Sequence, residues 1–196
     1  EDRLRIGLAS DVHGRWNTLV SWARDQQIDA VLVSGDLDAG PRFPFPVYYA
    51  FGNLDDRREY EEWKRNGHLE NLFGMGDYEV AEIGGLKWMF VGCAFDPRIG
   101  PGKVPPPPAD LPKVDAVVTH EAPIRTGPFP PHPVIEAVVR QVQPRWCFSG
   151  HRHMADHATL GSTECVALSN DPSGWAILHV ESMSLILPPI LSGGLW

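Results

Sequence analysis

The amino-acid sequence predicts an α/β fold, a four-layer sandwich in which two mixed β-sheets pack together and helices flank them. Three observations predict this fold class. In the first half of the chain, short apolar runs alternate with segments of helical spacing, as strands and helices do in α/β proteins. A glycine-rich turn then separates two runs of strand character, and two more runs near the end are typical of a closing antiparallel pair.

The first half of the chain contains three predicted strands and two predicted helices. Short apolar runs predict the strands at Arg5–Ala9, Ala30–Val33 and Val47–Phe51. The first helix is predicted over Trp16–Asp25. Within it, Leu19, Val20 and Ala23 recur at helical spacing and would form one apolar face. The second helix is predicted over Arg57–Arg65, where most side chains are charged.

The second half begins with a predicted hairpin. Glu79–Ile83 and Leu86–Val91 have strand character and are separated by two glycines, which suit a tight turn. Phe95–Pro112 is dense in proline and is expected to be an extended loop. Two further strands are predicted at Val114–Thr119 and Arg145–Phe148, with a helix between them at Val134–Gln143. The closing pair of strands is predicted at Thr163–Leu168 and Trp175–Val180.

The length and composition predict one domain over residues 1–196, large enough to bury roughly two-thirds of its unfolded surface. The longest apolar runs stop far short of the ~20 residues that cross a bilayer, and the first residues lack the order of a signal peptide. The three cysteines lie in apolar settings without a Cys-x-x-Cys partner, which favours buried reduced thiols. We therefore expect a cytoplasmic protein that does not bind membranes.

The formal net charge of -8 argues against a broad nucleic-acid-binding surface, because duplex binding depends on neutralising phosphates with basic side chains. No stable binding of duplex nucleic acid is expected. Bound divalent cations would dominate the charge of a local site, so a small phosphate ester could still be attracted there. The sequence leaves the oligomeric state open.

Potential metal ligands recur at the ends of predicted strands. They are Asp11 and His13 in Ser-Asp-Val-His-Gly, Asp36 in Gly-Asp-Leu-Asp, Asn53 in Gly-Asn-Leu-Asp, His120, and His151 and His153 in Gly-His-Arg-His. The first three motifs alone would each suit an ordinary turn, and His120 alone would suit a hydrogen-bonded histidine, whereas Gly-His-Arg-His is more specific. Strands that deliver all of them to one sheet edge would form a metal site. Carboxylate, amide and imidazole ligands without thiolate favour manganese, with iron, zinc or nickel as alternatives.

The order of these motifs resembles that of the calcineurin-like metallophosphoesterases, whose pattern is Asp-x-His, Gly-Asp, Gly-Asn-His-Asp or Glu, a lone His, and Gly-His-x-His. The match spans Asp11 to His153. The resemblance implies the same four-layer fold and two divalent metal ions. It also implies the ligands: Asp11, His13 and His153 for one ion, Asn53, His120 and His151 for the other, and Asp36 as a bridge between them.

The same resemblance implies a phosphoesterase, most simply a phosphodiesterase that hydrolyses a small phosphate ester or a nucleotide. The two ions would activate a hydroxide for attack at phosphorus, so no covalent enzyme intermediate is needed. The catalytic residues that it implies are Asp36, Asn53 and His120, with Asn53 also orienting a phosphoryl oxygen.

One position departs from the family pattern, because Leu54 stands where most members carry a catalytic His. The Gly-Asn-x-Asp motif is instead similar to a branch of small single-domain phosphodiesterases, which also contains the metal-poor scaffold subunit of retromer. A noncatalytic scaffold is therefore the alternative function, although the intact ligands favour an enzyme. Asp55, which usually supports the missing His, is expected to make a structural hydrogen bond.

Substrate contacts are predicted on loops near the ligands. The segment Ala39–Pro46 follows Asp36 and is expected at the rim of the site. There, Arg42 would bind phosphate oxygens and Phe45 would stack on a base, although shielding of the loop from solvent explains Phe45 equally well. Arg152 lies between two ligands and is a candidate for a phosphate contact, the alternative being a solvated side chain.

Overall fold

A computed structural model describes residues 4–38, 40, 42–93 and 102–191 of the chain. The α-helices in these residues are α1 (Trp16–Asp25), α2 (Arg57–Arg65) and α3 (Pro133–Val142). The strands are β1 (Arg5–Ala9), β2 (Ala30–Val33), β3 (Arg42–Ala50), β4 (Glu70–Met75), β5 (Glu79–Ile83), β6 (Leu86–Val91), β7 (Ala116–Thr119), β8 (Trp146–Ser149), β9 (Asp156–Leu160), β10 (Thr163–Ala167), β11 (Ala176–His179) and β12 (Ser184–Ile186). The predicted helices are thus confirmed to within one residue at each end.

The strands form two mixed sheets of six strands each. The order is β12-β11-β1-β2-β3-β4 in the first sheet and β5-β6-β7-β8-β10-β9 in the second. Strands β1 to β4 run parallel to one another, and so do β6, β7, β8 and β10. Each sheet therefore gathers the carboxyl ends of four strands at one edge, where side chains from different loops can meet.

The two sheets pack face to face around the central core. Leu8 of β1, Trp88 of β6 and Phe148 of β8 are fully buried in this cluster. The outer face of the first sheet packs on Leu19 of α1, and the outer face of the second packs on Ile135 of α3. This arrangement confirms the predicted four-layer sandwich.

Helix α2 begins immediately after the motif that contains Asn53. The Asp56 carboxylate accepts the backbone N–H groups of Arg58 and Glu59, at 2.8 and 3.4 Å, and so caps the first turn. Tyr60 is buried in the cluster beneath the first sheet. The cap and this buried side chain fix the start of α2 next to the carboxyl end of β3.

The predicted closing pair of strands is wrong. Thr163–Leu168 contains β10 and Trp175–Val180 contains β11, but the two strands belong to different sheets. Strand β10 pairs with β8 and β9, whereas β11 pairs with β1 and β12. The apolar pattern identifies a buried strand, but its pairing partner is decided by tertiary packing that local sequence does not encode.

Strand β3 begins earlier than predicted, which changes the position of two candidate substrate-binding residues. Arg42 and Phe45 lie in the strand, not in a loop at the rim. A register irregularity between Arg42 and Val47 accommodates two prolines, which cannot donate to a ladder. Val47 pairs with Val31 of the parallel strand β2, so Arg42 and Phe45 lie towards the amino-terminal end of β3. Their expected position beside the ligands is wrong.

Strands β4, β9 and β12 have no counterpart among the predicted elements. Most side chains of β9 and β12 are exposed or half-buried, and these strands lie at sheet edges. In β4, buried side chains recur every third residue, at Leu72 and Met75, instead of every second. None of the three has the alternating or continuous apolar pattern by which a strand is recognised.

Three other expectations concern loops, thiols and membrane spans. Of the proline-rich loop, residues 95–101 lie outside the described residues, and residues 102–112 contain no helix or strand. Cys93, Cys147 and Cys165 are buried free thiols, as predicted. Among the described residues, no helix has the length and apolar character needed to cross a bilayer.

Candidate metal centre

All seven potential ligands lie in loops that follow the carboxyl ends of parallel strands. They are Asp11 and His13 after β1, Asp36 after β2, Asn53 after β3, His120 after β7, and His151 and His153 after β8. Backbone hydrogen bonds join these loops, from His13 N–H to the Asp36 carbonyl at 2.9 Å and from Gly150 N–H to the His120 carbonyl at 3.0 Å. The His151 N–H donates to the Asp11 carboxylate at 2.9 Å, which links the two sheets at the site.

Five of the ligands have left-handed backbone conformations, which residues with a side chain seldom adopt. The φ angles are 50° at Asp11, 48° at His13, 52° at Asp36, 70° at His151 and 53° at His153. Each such residue raises the energy of the fold by roughly 1 to 3 kcal/mol unless its surroundings compensate. Tight turns of this kind let short loops point carboxylates and imidazoles at one place, and their clustering is typical of a functional site.

The first ligand group consists of Asp11, His13 and His153. The two imidazole Nε2 atoms are 3.2 Å apart. The Asp11 Oδ1 atom lies 3.2 Å from Nε2 of His153 and 3.8 Å from Nε2 of His13. One oxygen and two nitrogens therefore lie within 4.8 Å of one another, close enough to hold one metal ion together.

The second group contains Asp36, His120 and His151, whose ligand atoms lie within 4.8 Å of one another. His120 Nε2 is 3.5 Å from Asp36 Oδ2 and 3.1 Å from His151 Nδ1. The amide oxygen of Asn53 approaches the same Nε2 atom at 2.8 Å. The side chains fall into the two groups that the resemblance implies. Their binding of metal ions and the bridging role of Asp36 stay predictions.

A glycine permits the close approach of this second group. A Cβ atom at Gly52 would collide with the Asp36 carboxylate. The chain can therefore bring Asp36 beside the loop that carries Asn53 only because residue 52 has no side chain.

The tautomer of His120 follows from its surroundings. Its Nδ1 atom is 2.7 Å from the backbone carbonyl of Ser34, which can only accept a hydrogen bond. Nδ1 therefore carries the proton, and Nε2 presents a lone pair to the Asp36 carboxylate and the Asn53 amide oxygen. In this tautomer Nε2 and the two oxygens are all acceptors, and a divalent cation in their midst would satisfy all three.

Asp11 gives a second indication that the first group fits a metal ion. Its Oδ2 atom accepts the hydroxyl of Ser10 at 2.5 Å and the N–H of His151. Its Oδ1 atom is buried and has no hydrogen-bond donor among the described residues. A buried carboxylate oxygen without a donor is unfavourable, and a cation held with His13 and His153 would relieve it.

The protonation of His151 also suits ligation. Burial lowers the pKa of His151, and the adjacent His120 lowers it further. The nearby Glu121 carboxylate opposes this shift. A neutral imidazole has a free lone pair, as a metal ligand requires.

Asp55 organises the loops around the second group. Its buried carboxylate accepts three backbone N–H groups, from Asp36 at 2.8 Å, Asp38 at 2.9 Å and Gly52 at 2.7 Å. Burial raises the pKa of Asp55 to about 7 and the Asp36 charge adds to this, whereas the N–H groups of Gly52 and Asp38 lower it. The expected structural hydrogen bond is confirmed, and Asp55 joins the loop after β2 to the loop after β3.

Replacement of Asp55 by Ala should therefore destabilise the protein strongly. Two buried N–H groups and one partly buried N–H group would lose their acceptor. Each buried loss amounts to about 1 to 3 kcal/mol, so we expect the free energy of unfolding to fall by about 3 kcal/mol or more. Urea unfolding measures this change. The neighbouring Asp56→Ala variant loses only a helix cap, typically ~1 kcal/mol. Equal losses in both variants would contradict the role assigned to Asp55.

Leu54, the departure from the family pattern, lies at the rim of the site. Its backbone N–H donates to Asp36 Oδ1 at 2.9 Å, which fixes its position beside the second group. Its side chain is 62% exposed. A hydrocarbon side chain thus occupies a solvent-facing place next to the ligands and offers no proton there.

Glu121 is a site residue that the sequence motifs do not reveal. It is 8% exposed, and its carboxylate lies 3.5 Å from His151 Nε2 and 3.4 Å from Arg152 Nη2. The Arg152 guanidinium also stacks over Phe129 at 4.7 Å. Arg152 is therefore held beside the ligands, in contrast to Arg42 and Phe45. In the sequence, the feature that could have identified Glu121 as a site residue is its position directly after His120.

Comparisons with known proteins agree with this geometry. A model of the calcineurin-like phosphoesterase family matches residues 4–155. No curated protein matches the sequence.

Solved structures share the fold at low sequence identity. An archaeal phosphodiesterase is 16% identical with a TM-score of 0.57, and the alignment covers 93% of this chain and 98% of the phosphodiesterase. TT1561 of Thermus thermophilus is 15% identical with a TM-score of 0.63, and the alignment covers 94% of this chain and 98% of TT1561. GAP50, the anchor in the inner membrane complex of Plasmodium, is 8% identical with a TM-score of 0.54. The alignment covers 96% of this chain and 89% of GAP50.

The family match extends over most of the chain and includes every motif that supplies a potential ligand. The chain belongs to the calcineurin-like phosphoesterase family.

Proposed function

We propose that the protein is a binuclear metal-dependent phosphodiesterase that hydrolyses small phosphate esters or nucleotides. The observation that supports this most strongly is the contact of His120 Nε2, whose ring proton lies on Nδ1, with the oxygens of Asp36 and Asn53. A second group of converging ligands, which includes Asp11, lies beside it. Family membership supports phosphoester hydrolysis as the reaction class.

Two bound ions would supply Lewis acidity and would lower the pKa of the attacking water. Manganese suits the oxygen and nitrogen donors best, and iron, zinc or nickel are alternatives. The protein holds the ligands in place: Ser34 keeps the His120 proton on Nδ1, and Asp55 fixes the backbone around Asp36.

The residues around the ligands also position the phosphate ester. Asn53 places its amide oxygen in the second group, and its amide N–H group is the candidate for orienting a phosphoryl oxygen. Arg152, which is held by Glu121 and Phe129, is the candidate for a charged contact to the phosphate. The buried free thiols suit a reducing compartment, so we place the protein in the cytoplasm.

A noncatalytic scaffold of the same fold is the rival function, and the observation that favours it is Leu54 in place of the catalytic His. The two functions differ in metal content and turnover. The protein should be purified without chelator, analysed for metals, and assayed with manganese on a panel of phosphodiesters and phosphomonoesters. About two ions per chain together with diester hydrolysis would support the enzyme. No bound metal at micromolar manganese would rule it out.

The ligands should act as one cooperative unit. Single alanine variants of Asp11, His13, Asn53, His120, His151 and His153 should each lose most of their metal or activity, and double variants should lose little more. Plasma mass spectrometry and initial rates measure the two quantities. Matched controls are the histidines outside the motifs, at positions 68, 132, 157 and 179. A control variant as impaired as His151→Ala would show that the ligand assignment is wrong.

A further inference from the structure

A cavity of about 280 Å³ adjoins the second ligand group, and the proposed hydrolysis assigns no role to it. Its walls include Trp16, Asp38, Leu54, Asp56, Glu59 and Trp63. Leu54 directly follows the ligand Asn53, and Asp38 lies two residues after Asp36. The cavity therefore lies where an ester group attached to a bound phosphate could extend.

Two indoles line the cavity, and hydrogen bonds hold that of Trp16 in place. The indole N–H of Trp16 donates to the carbonyl oxygens of Leu37 at 3.2 Å and Asp38 at 2.9 Å. Trp63 is half-buried on α2, whose start is fixed by the Asp56 cap. With the exposed Leu54, these two indoles form the apolar and aromatic part of the cavity lining.

The charged walls of the cavity are all acidic. Among the lining residues there is no Lys or Arg. Asp56 is partly neutralised, because it caps α2 and lies 3.6 Å from Arg58 Nε. The carboxylates of Asp38 and Glu59 make no ion pair within the described part of the chain. The cavity thus combines indole rings with negative charge that no neighbouring side chain offsets.

We infer that this cavity binds a cationic group, so that the substrate class is phosphodiesters of amino alcohols, with an ammonium or quaternary ammonium group in the alcohol part. This inference rests on the proposed function. Indole faces attract organic cations, and nearby carboxylates strengthen the attraction. The same carboxylates repel phosphate, so the phosphoryl group is left to the ligand groups and only the alcohol part enters the cavity.

Such a substrate would also suit the absence of an acid at Leu54. In the hydrolysis, a water oxygen forms a bond to phosphorus, the bond from phosphorus to the alcohol oxygen breaks, and that oxygen takes a proton from water. An ammonium group close to this oxygen stabilises its developing negative charge. The departing group therefore needs less help from a general acid than a simple alkyl alcohol does.

Binding of choline tests the inference without any turnover. Choline and its uncharged isostere, 3,3-dimethylbutan-1-ol, should be titrated into the manganese-loaded protein and followed by tryptophan fluorescence and calorimetry. We expect choline to bind about tenfold more tightly than the isostere, and Trp63→Leu to weaken choline binding by a similar factor. Glu59→Gln should also weaken it, whereas Glu61→Gln, the same change on the same helix outside the cavity, should not.

Three results would overturn the inference. Equal affinity for choline and its isostere would show that charge is not recognised. Equal effects of Glu59→Gln and Glu61→Gln would place the cation elsewhere. Binding of adenosine, sensitive to Trp63→Leu, without binding of choline would assign the cavity to a nucleobase.

A kinetic comparison separates this inference from the proposed function. The ratio of kcat/KM for a choline phosphodiester to that for the matching 3,3-dimethylbutyl diester should exceed unity, and Glu59→Gln should reduce that ratio. Hydrolysis of both diesters at equal rates would leave the proposed function intact and refute the cationic site. Absence of hydrolysis of every diester, with choline binding retained, would refute the proposed function and the substrate class but leave the cation-binding cavity established.

Discussion

Replacement of Asp36 by Asn should reduce phosphodiester hydrolysis by about 10³-fold or more, because ligands of one centre act as a unit. Asp36 Oδ1 accepts the Leu54 N–H at 2.9 Å, and Oδ2 faces His120 Nε2 at 3.5 Å. An Asn side chain can keep the first interaction through its amide oxygen. Its NH₂ group would then replace the second oxygen, and it can neither bind a cation nor balance its charge. The variant should therefore fold normally and lose both metal and activity.

Metal analysis, thermal unfolding and initial rates on a nitrophenyl diester together test this expectation. Asp29→Asn is the matched control, since the Asp29 carboxylate also accepts a backbone N–H, from Arg5 at 2.7 Å, but Asp29 precedes the amino-terminal end of β2, whereas Asp36 follows its carboxyl end. The control should retain full metal content and rate. A rate near that of the unmodified protein for Asp36→Asn, with metal still bound, would show that Asp36 is not a ligand.

The potential ligands other than Asn53 were predictable because each one follows a short and strongly apolar strand. The strands β1, β2, β7 and β8 are buried along almost their whole length, so their sequences are nearly continuous runs of apolar residues. Parallel strands of one sheet end at a common edge, and the packing of the two sheets places these two edges side by side, so that His13 after β1 meets His153 after β8, 140 residues later. The order of the motifs along the sequence therefore predicts which loops meet at the site.

Other parts of the site depend on contacts that the sequence does not display. The Ser34 carbonyl orients His120 through the backbone, so the residue type at position 34 gives no hint of this role. Arg42 and Phe45 were misplaced because a proline-rich segment usually indicates a loop, whereas here the irregular start of β3 absorbs it. The cavity beside Leu54 arises where α1 and α2 come together, which only tertiary packing determines.

The rate of hydrolysis should depend steeply on the leaving group, because Leu54 occupies the place of the family's catalytic His and carries no proton. General acid catalysis contributes about 10²- to 10⁴-fold, and its absence slows the departure of basic alkoxides most. Nitrophenyl diesters should therefore be cleaved far faster than simple alkyl diesters. Rates on a series of aryl and alkyl diesters, plotted against the pKa of the leaving group, measure this dependence. A shallow slope would show that another residue already donates the proton.

Restoring the histidine should flatten this dependence. In Leu54→His the new imidazole would face the cavity that Asp38 and Glu59 also line, and either carboxylate could orient it, since Asp55 is occupied by three backbone N–H groups. We expect up to ~10²-fold faster cleavage of alkyl diesters and little change for nitrophenyl diesters, whose departure needs no proton. Leu54→Gln, which is polar but does not titrate, is the control. If both variants gained equally on alkyl diesters, the benefit would come from polarity at position 54 and not from proton donation.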